Sequence, residues 1–315
     1  MRQYRFVQYD VFTDVPFGGN QLAVITDATG LTDDEMQSIA REMNYSETTF
    51  VLPATDVKAV RRVRIFTPGT ELPIAGHPTI GTTFALAHEK IVRSGDTLPV
   101  YLQLGIGTLP IDLLFEGEQL SFVWMHQPVP QFLPWTGDAP RLMQALGLPL
   151  DDLSPESPIE QGSGGVPFIF VPLRSTQALM RANPGNPTLS TAMATTDPNT
   201  GLYLFSCEVE DGKESVRRSR MFGVQLGITE DAATGVAAGP FGVYLLRHGQ
   251  IQPDQDGDVR LYIRQGVEMG RPSLIKVGLT CEAAETGEAG EPVNVRDVRV
   301  GGESILIAEG TILLP

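Results

Sequence analysis

Cysteine is scarce: Cys207 and Cys281 are the whole supply in 315 residues. Two thiols make no disulfide framework, so the fold must rest on a conventional apolar core. Histidine is as thin. His77, His88, His126 and His248 show no zinc-ligand spacing. Basic residues number 23 against 38 acidic ones, a net charge of −15. A nucleic-acid binder needs a basic footprint, and none is visible. The same excess repels anions at long range, so a carboxylate ligand would depend on local donors. No apolar run reaches the roughly 18 residues of a membrane span. There is no Walker-type phosphate loop. Gly105-Ile106-Gly107 is too short to mark a dinucleotide site, and Gly162 to Gly165 reads as a flexible turn. The N-terminus reads as a strand and not as a signal peptide, leaving the cytoplasm as the default location.

What is present suits two soluble domains with ample core: 42% apolar residues over a moderate length. Residues 4–12 and Leu22–Ile25 read as strands, with a turn at Gly18-Gly19-Asn20 between them. Thr32 and Glu35 form a capping box for a helix to about Met43, with Met36, Ile39, Ala40 and Met43 on one face. Asn44 to Phe50 then turns into a strand with Glu47 at its mouth. Val60 to Phe66 alternates as another strand, and residues 98–125 hold more, separated by Gly105, Gly107 and Gly117. Prolines crowd the segment His126–Ser163, which marks the domain boundary. The expected division is 1–127 and 128–315, leaving open that the last strand crosses back. Asp138 to Gly147 reads as a short capped helix. It is the expected counterpart of the 32–43 helix, since Pro167–Pro172 resembles Thr49–Pro53. Residues 182–200 read as loop. Strands are expected at 201–206, 216–222, 259–263, 274–278, near 295–300 and at 304–313. Strand-rich halves with one main helix each predict an α+β fold.

One pattern occurs twice. Arg64-Ile65-Phe66 leads through Glu71 to Gly76 and an apolar helix. Arg220-Met221-Phe222 leads through Glu230 to Gly235 and another, which Gly249 would stop. Such self-similarity indicates duplicated halves. Gly76 and Gly235 would let a ligand approach the backbone closely. The first amides of each helix lack partners within it and suit an anion. Glu47, between a helix end and an apolar strand, is a candidate base, with an exposed charge or a backbone acceptor as its plain alternative. His77 is a donor or a backbone-bonded helix residue. Asp231 could hold a substrate amine, orient His77 or cap its helix.

Several segments together carry a resemblance: Ser46-Glu47-Thr48-Thr49-Phe50, Phe66-Thr67-Pro68, Glu71 to Pro78, Glu230 to Gly235, and Gln265-Gly266 with Gly270 to Ser273. Over nearly its whole length the chain resembles the phenazine-biosynthesis isomerases, the PhzF-like family. The resemblance implies a diaminopimelate epimerase-like fold: two similar domains, each a curved, mostly antiparallel sheet around a central helix, with the site between them. It also implies a homodimer and no cofactor. The family's acid/base glutamate falls on Glu47, its histidine on His77 and its aspartate on Asp231. The glycines whose amides help hold substrate fall on Gly76 and Gly235. Thr234 and Val236 complete the second loop. Val236 replaces the usual serine, which points to a less polar or differently placed substrate group. Ala232 and Gln21 replace family prolines. Related racemases place a cysteine pair where Ala75 and Thr234 stand, so two-thiol racemisation is not expected here.

The implied chemistry is proton transfer at carbon, moving a hydrogen or double bond within a small carboxylate-bearing molecule. A free Glu, with a pKa of roughly 4.3, is a weak base at neutral pH. Enclosure beside Phe50 would raise it toward the working range. The amides at Gly76 and Gly235 would stabilise the carbanion or dienolate. The alternative is a non-catalytic metabolite-binding protein that has kept the cleft. Gly270 to Ser273 is expected to be architectural.

Overall fold

A computed structural model describes residues 1–96, 98–195, 197, 199–210, 215–282 and 294–315. Two compact units emerge, Met1–His126 with Gly301–Pro315, and Gln127–Val300. Among the described residues no helix is long and apolar enough to cross a membrane.

The first unit begins with β1 (Arg2–Val11) and β2 (Asn20–Ile25), an antiparallel pair. The chain's last strand, Ser304–Leu314, lies antiparallel on the other side of β1. The 32–43 expectation holds closely. Helix α1 (Asp33–Met43) carries the full Thr32/Glu35 capping box, and Asn44 ends it in the left-handed conformation. Met36, Ile39 and Ala40 pack on Ile25, Phe50 and Phe66, with Met43 at the margin. Then come β3 (Glu47–Leu52), β4 (Arg61–Phe66) and the two-residue β5 (Glu71–Leu72). Helix α2 (Gly76–His88) follows, buried from Gly76 through Leu86. It packs against β1, β2, β3 and the last strand. An amphipathic helix has a wet face; α2 has almost none, as befits an element with sheet around it. β6 (Val100–Leu104), β7 (Gly107–Glu116) and β8 (Gln119–Gln127) form antiparallel neighbours in order.

The second unit contains β9 (Gln131–Pro134), α3 (Ala139–Ala145, capped by Asp138), β10 (Glu160–Ser163) and β11 (Pro167–Leu173). Next are α4 (Thr176–Arg181), α5 (Leu189–Ala192), β12 (Gly201–Ser206), β13 (Val216–Gly223) and β14 (Ile228–Asp231). Helix α6 (Gly235–Arg247) is again wholly buried through Leu246 and packs on β10, β11 and a later strand, Ser273–Cys281. β15 (Asp258–Gln265), β16 (Ser273–Cys281), β17 (Val295–Gly302) and β18 (Ser304–Leu314) complete the order. Residues 182–200, expected as loop, contain α5, only four residues long.

Both units follow one plan. β2 runs parallel to β3, β3 antiparallel to β4, β4 antiparallel to β5, and β4 parallel to β6. In the second unit β11, β12, β13, β14 and β15 repeat those senses in the same order. The registers align residue by residue. Phe50 faces Arg64 as Leu204 faces Arg220. This corrects one expectation. Pro167–Leu173 is the counterpart of β2 and not of β3, and the place of α1 is taken by α4 and α5, not by α3. Apolar strands ending in proline look alike in sequence; pairing sense tells them apart.

The repeat also explains Gly105 and Gly266. A Cβ on Gly105 would lie 2.8 Å from Pro73 Cα, and one on Gly266 would lie 2.6 Å from the Ala232 carbonyl oxygen. Pro73 and Ala232 each stand three residues before the glycine that opens the central helix. In both halves, then, a strand end presses on the helix-entry loop, leaving no room for a side chain. Gly266 adds a φ of +73°, which L side chains rarely adopt.

Candidate active site

The first unit gathers Asn20, Ser46, Glu47 and His77. The parallel pairing of β2 and β3 sets Leu22 beside Glu47, so the starts of the two strands adjoin. His77 is the second residue of α2. Glu47 is 8% exposed and His77 2%. His77 Nε2 stands 3.3 Å from Glu47 Oε2. That is contact distance, without the alignment of a formed hydrogen bond. On the other side of the ring, His77 Nδ1 is 3.1 Å from Asn20 Nδ2. Ser46 Oγ donates to Asn20 Oδ1 at 3.0 Å. Burial pushes the His77 pKa down to about 3, only partly opposed by the backbone of Gln21, so the imidazole is neutral at working pH. Glu47 is thus enclosed, not an exposed charge.

The second unit builds a different set on the same frame. Thr234 is the N-cap residue of α6, yet its side chain bonds no helix amide. Its hydroxyl donates to Asp231 Oδ2 at 2.7 Å. Gln265 closes the loop. Its Nε2 donates to the Asp231 carbonyl at 2.9 Å and to Thr234 Oγ1 at 2.8 Å, while its Oε1 accepts from Thr234 N at 3.2 Å. Ser273 Oγ donates to the carbonyls of Ala232 and Gln265. Ser273, the last residue of the Gly270 to Ser273 segment, thus ties its strand to the helix-entry loop. Gln127 Nε2 bonds the Gly235 carbonyl at 3.0 Å. Val236 is buried, 8% exposed. Asp231 thus accepts the hydroxyl of the α6 N-cap residue.

Both central helices begin with a glycine and have N-caps that supply no side-chain bond: Ala75 cannot, and Thr234 is turned to Asp231. Helices α1, α3 and α4 are capped by Thr32, Asp138 and Ser175. Neither N-cap side chain of α2 or α6 therefore takes up a leading helix amide, the groups an anion would use.

Superposing the two registers gives the division of labour. Asn20, Glu47 and His77 in the first unit correspond to Val166, Gly201 and Val236 in the second. Asp231, Thr234 and Gln265 correspond to Leu72, Ala75 and Leu104. Each polar set is present in one half and replaced by apolar residues or glycine in the other. In the sequence Gln265 belongs to a motif without an evident role, and Asn20 to a turn. Their partners lie 31 and 57 residues away, at Thr234 and His77.

A family profile described as phenazine biosynthesis-like protein matches residues 9–310. The chain belongs to that family. As a family member it is an isomerase with the diaminopimelate epimerase-like fold. It is 39% identical over 312 residues to the trans-2,3-dihydro-3-hydroxyanthranilate isomerase of Pseudomonas fluorescens, covering 99% of this chain and 100% of that one. The crystal structure of a Bacillus anthracis phenazine biosynthesis protein of the PhzF family matches over 100% of both chains, with a TM-score of 0.84 and 29% identity. A probable proline racemase from Agrobacterium radiobacter shares the fold at a TM-score of 0.65 and 13% identity, covering 99% of this family member and 93% of that chain.

Proposed function

We propose that the protein moves a proton and a double bond within a small carboxylate-bearing metabolite, using Glu47 as general base and then general acid. The observation that carries this is the pairing of enclosed Glu47 with buried, neutral His77 at the entry of a helix whose cap is left open. Glu47 takes a proton from one carbon and returns it at another. General acid–base catalysis contributes about 10² to 10⁴ in rate. Charge developing on the substrate is proposed to be met by the backbone amide at Gly76, with Gly235 offering the same kind of donor in its own unit, each such donor being worth about 3 kcal/mol. His77, being neutral, offers an N–H without competing for Glu47's charge. Asp231 and Thr234, locked by Gln265, are proposed to hold the substrate's polar substituents.

The relative from Pseudomonas fluorescens is named for a hydroxylated, unsaturated cyclic amino acid. That chemical class is the proposed substrate class here, with a less polar group facing Val236. The working form is proposed to be a homodimer that needs no cofactor. A second reading, metabolite binding without turnover, draws on Val236 standing where the family serine is usual.

The test is NMR in D2O with trans-2,3-dihydro-3-hydroxyanthranilate and related cyclic acids. Wild-type protein should incorporate deuterium at carbon, and Glu47→Gln should not, while keeping its circular dichroism. Binding without any exchange by the wild type would favour the second reading. Exchange that survives Glu47→Gln would exclude Glu47 as the base.

A further inference from the structure

We propose that Asn20 is a positioning residue that fixes the tautomer of His77, so that the ring presents Nε2–H toward Glu47. The inference rests on the reading of Glu47 as the proton-transfer group.

The amide of Asn20 is oriented by its neighbours. Its oxygen accepts the Ser46 hydroxyl at 3.0 Å, which leaves its nitrogen as the end that meets His77 Nδ1 at 3.1 Å. With the amide in that orientation its nitrogen donates, Nδ1 accepts, and the ring proton sits on Nε2. Nε2 is the atom 3.3 Å from Glu47 Oε2. Asn20 is 4% exposed, so water does not compete for the ring from that side. The string Ser46–Asn20–His77–Glu47 is made possible by the parallel start of β2 and β3, which sets residues 20 and 46 together at the opening of α2.

The repeat supplies an independent argument. If Asn20 served only to fill space, its fate in the second unit would be unconnected with that of Glu47 and His77. Instead the three change together, to Val166, Gly201 and Val236. The amide is kept where the acid and the imidazole are kept.

The tautomer matters for the chemistry. With the proton on Nε2, His77 can only donate toward Glu47 and the substrate. It then supports the carboxylate and leaves the abstracted proton on Glu47 for delivery. With the proton on Nδ1, a bare Nε2 lone pair would face the carboxylate. It would repel the ionised form and draw the proton away from the protonated one. The competing arrangement is concrete: a ring N–H can instead donate to the backbone of Gln21, the contact that works against the burial-driven lowering of the His77 pKa.

The experiment is a long-range proton–nitrogen correlation spectrum of the full chain labelled with ¹⁵N-histidine, with His77→Gln used to assign the His77 signals. The wild type should show His77 protonated at Nε2 alone. Asn20→Asp, which can accept but not donate, should move the proton to Nδ1 or add a second one, and lower the exchange rate at substrate carbon at least tenfold. Ser46→Ala, which frees the amide to flip, should give a mixture of tautomers. A wild-type ring protonated at Nδ1, or an Asn20→Asp spectrum identical to wild type, would overturn the proposal. Should Asn20→Asp fail to fold, the wild-type and Ser46→Ala spectra decide it. The spectra require no substrate, so an absence of isomerase activity would be a separate result.

Discussion

Glu47 and Gly201 occupy the same place in the repeated strand frame, one unit carrying a carboxylate where the other carries only a hydrogen. The sheet does not require the acid there, since the second unit forms the same pairing without it. Nor could the second unit accept one. A Cβ on Gly201 would lie 2.6 Å from Phe168 Cε1 and 3.1 Å from Met221 Cε. Gly201→Glu should therefore destabilise by at least 1–3 kcal/mol, the usual cost of overfilling a packed core. Glu47→Gln should leave the unfolding free energy from urea titration within about 1 kcal/mol of wild type while removing exchange at carbon. Equal losses of stability from the two substitutions would contradict this contrast.

Buried His77 makes stability depend on pH. Its folded pKa of about 3 lies below the ordinary value of 6.5. Between those values the unfolded chain binds a proton that the folded chain does not. Stability due to this group is complete above pH 6.5 and falls as pH drops toward 3, by up to about 1.4 kcal/mol per pH unit. Urea titrations from pH 7 to pH 4 should show a shallower decline for His77→Gln than for wild type. Parallel curves would argue against a neutral buried ring.

Arg64 and Arg220 are repeat counterparts with unequal burdens. Arg220 bonds both oxygens of Glu230 at 2.8 Å and donates to the carbonyls of Leu179 and Ala182, and the pair is almost completely enclosed. Arg64 bonds Glu71 and Asp33, which are 41% and 81% exposed. Arg220→Met strands a buried carboxylate and should cost about 3–5 kcal/mol. Arg64→Met should cost about 1 kcal/mol or less, because its partners return to water. Denaturant midpoints of the two variants measure the difference.

Val236 is the position most open to tuning. Val236→Ser adds a hydroxyl at the second residue of α6. It should raise kcat/KM for trans-2,3-dihydro-3-hydroxyanthranilate by about tenfold, the worth of one good hydrogen bond at about 1.4 kcal/mol. A decrease would mean that the substrate presents an apolar edge to this side chain.

Much of the architecture could be read from the chain because local signals agreed with each other. Thr32 and Glu35 announced α1, and the doubled Arg-x-Phe, Glu and Gly series announced α2 and α6 as related elements. Glu47 was legible as a strand-mouth acid, and the family resemblance then gave it a role. What escaped reading was either short or distant. β5, β9, β10, β14, α4 and α5 are two to six residues long, below the length at which periodicity speaks. The bonds of Asn20 to Ser46 and His77, and of Gln265 to Asp231 and Thr234, exist only once parallel strands bring remote residues together. Pro167–Leu173 was matched to the wrong partner because composition does not encode pairing direction.

The doubled frame also leaves the protein without a reserve. Gene duplication often supplies a second copy that can carry on when the first is damaged. Here Val166, Gly201 and Val236 cannot stand in for Asn20, Glu47 and His77, and Leu72, Ala75 and Leu104 cannot stand in for Asp231, Thr234 and Gln265. A single lesion in either trio has no understudy in the other half.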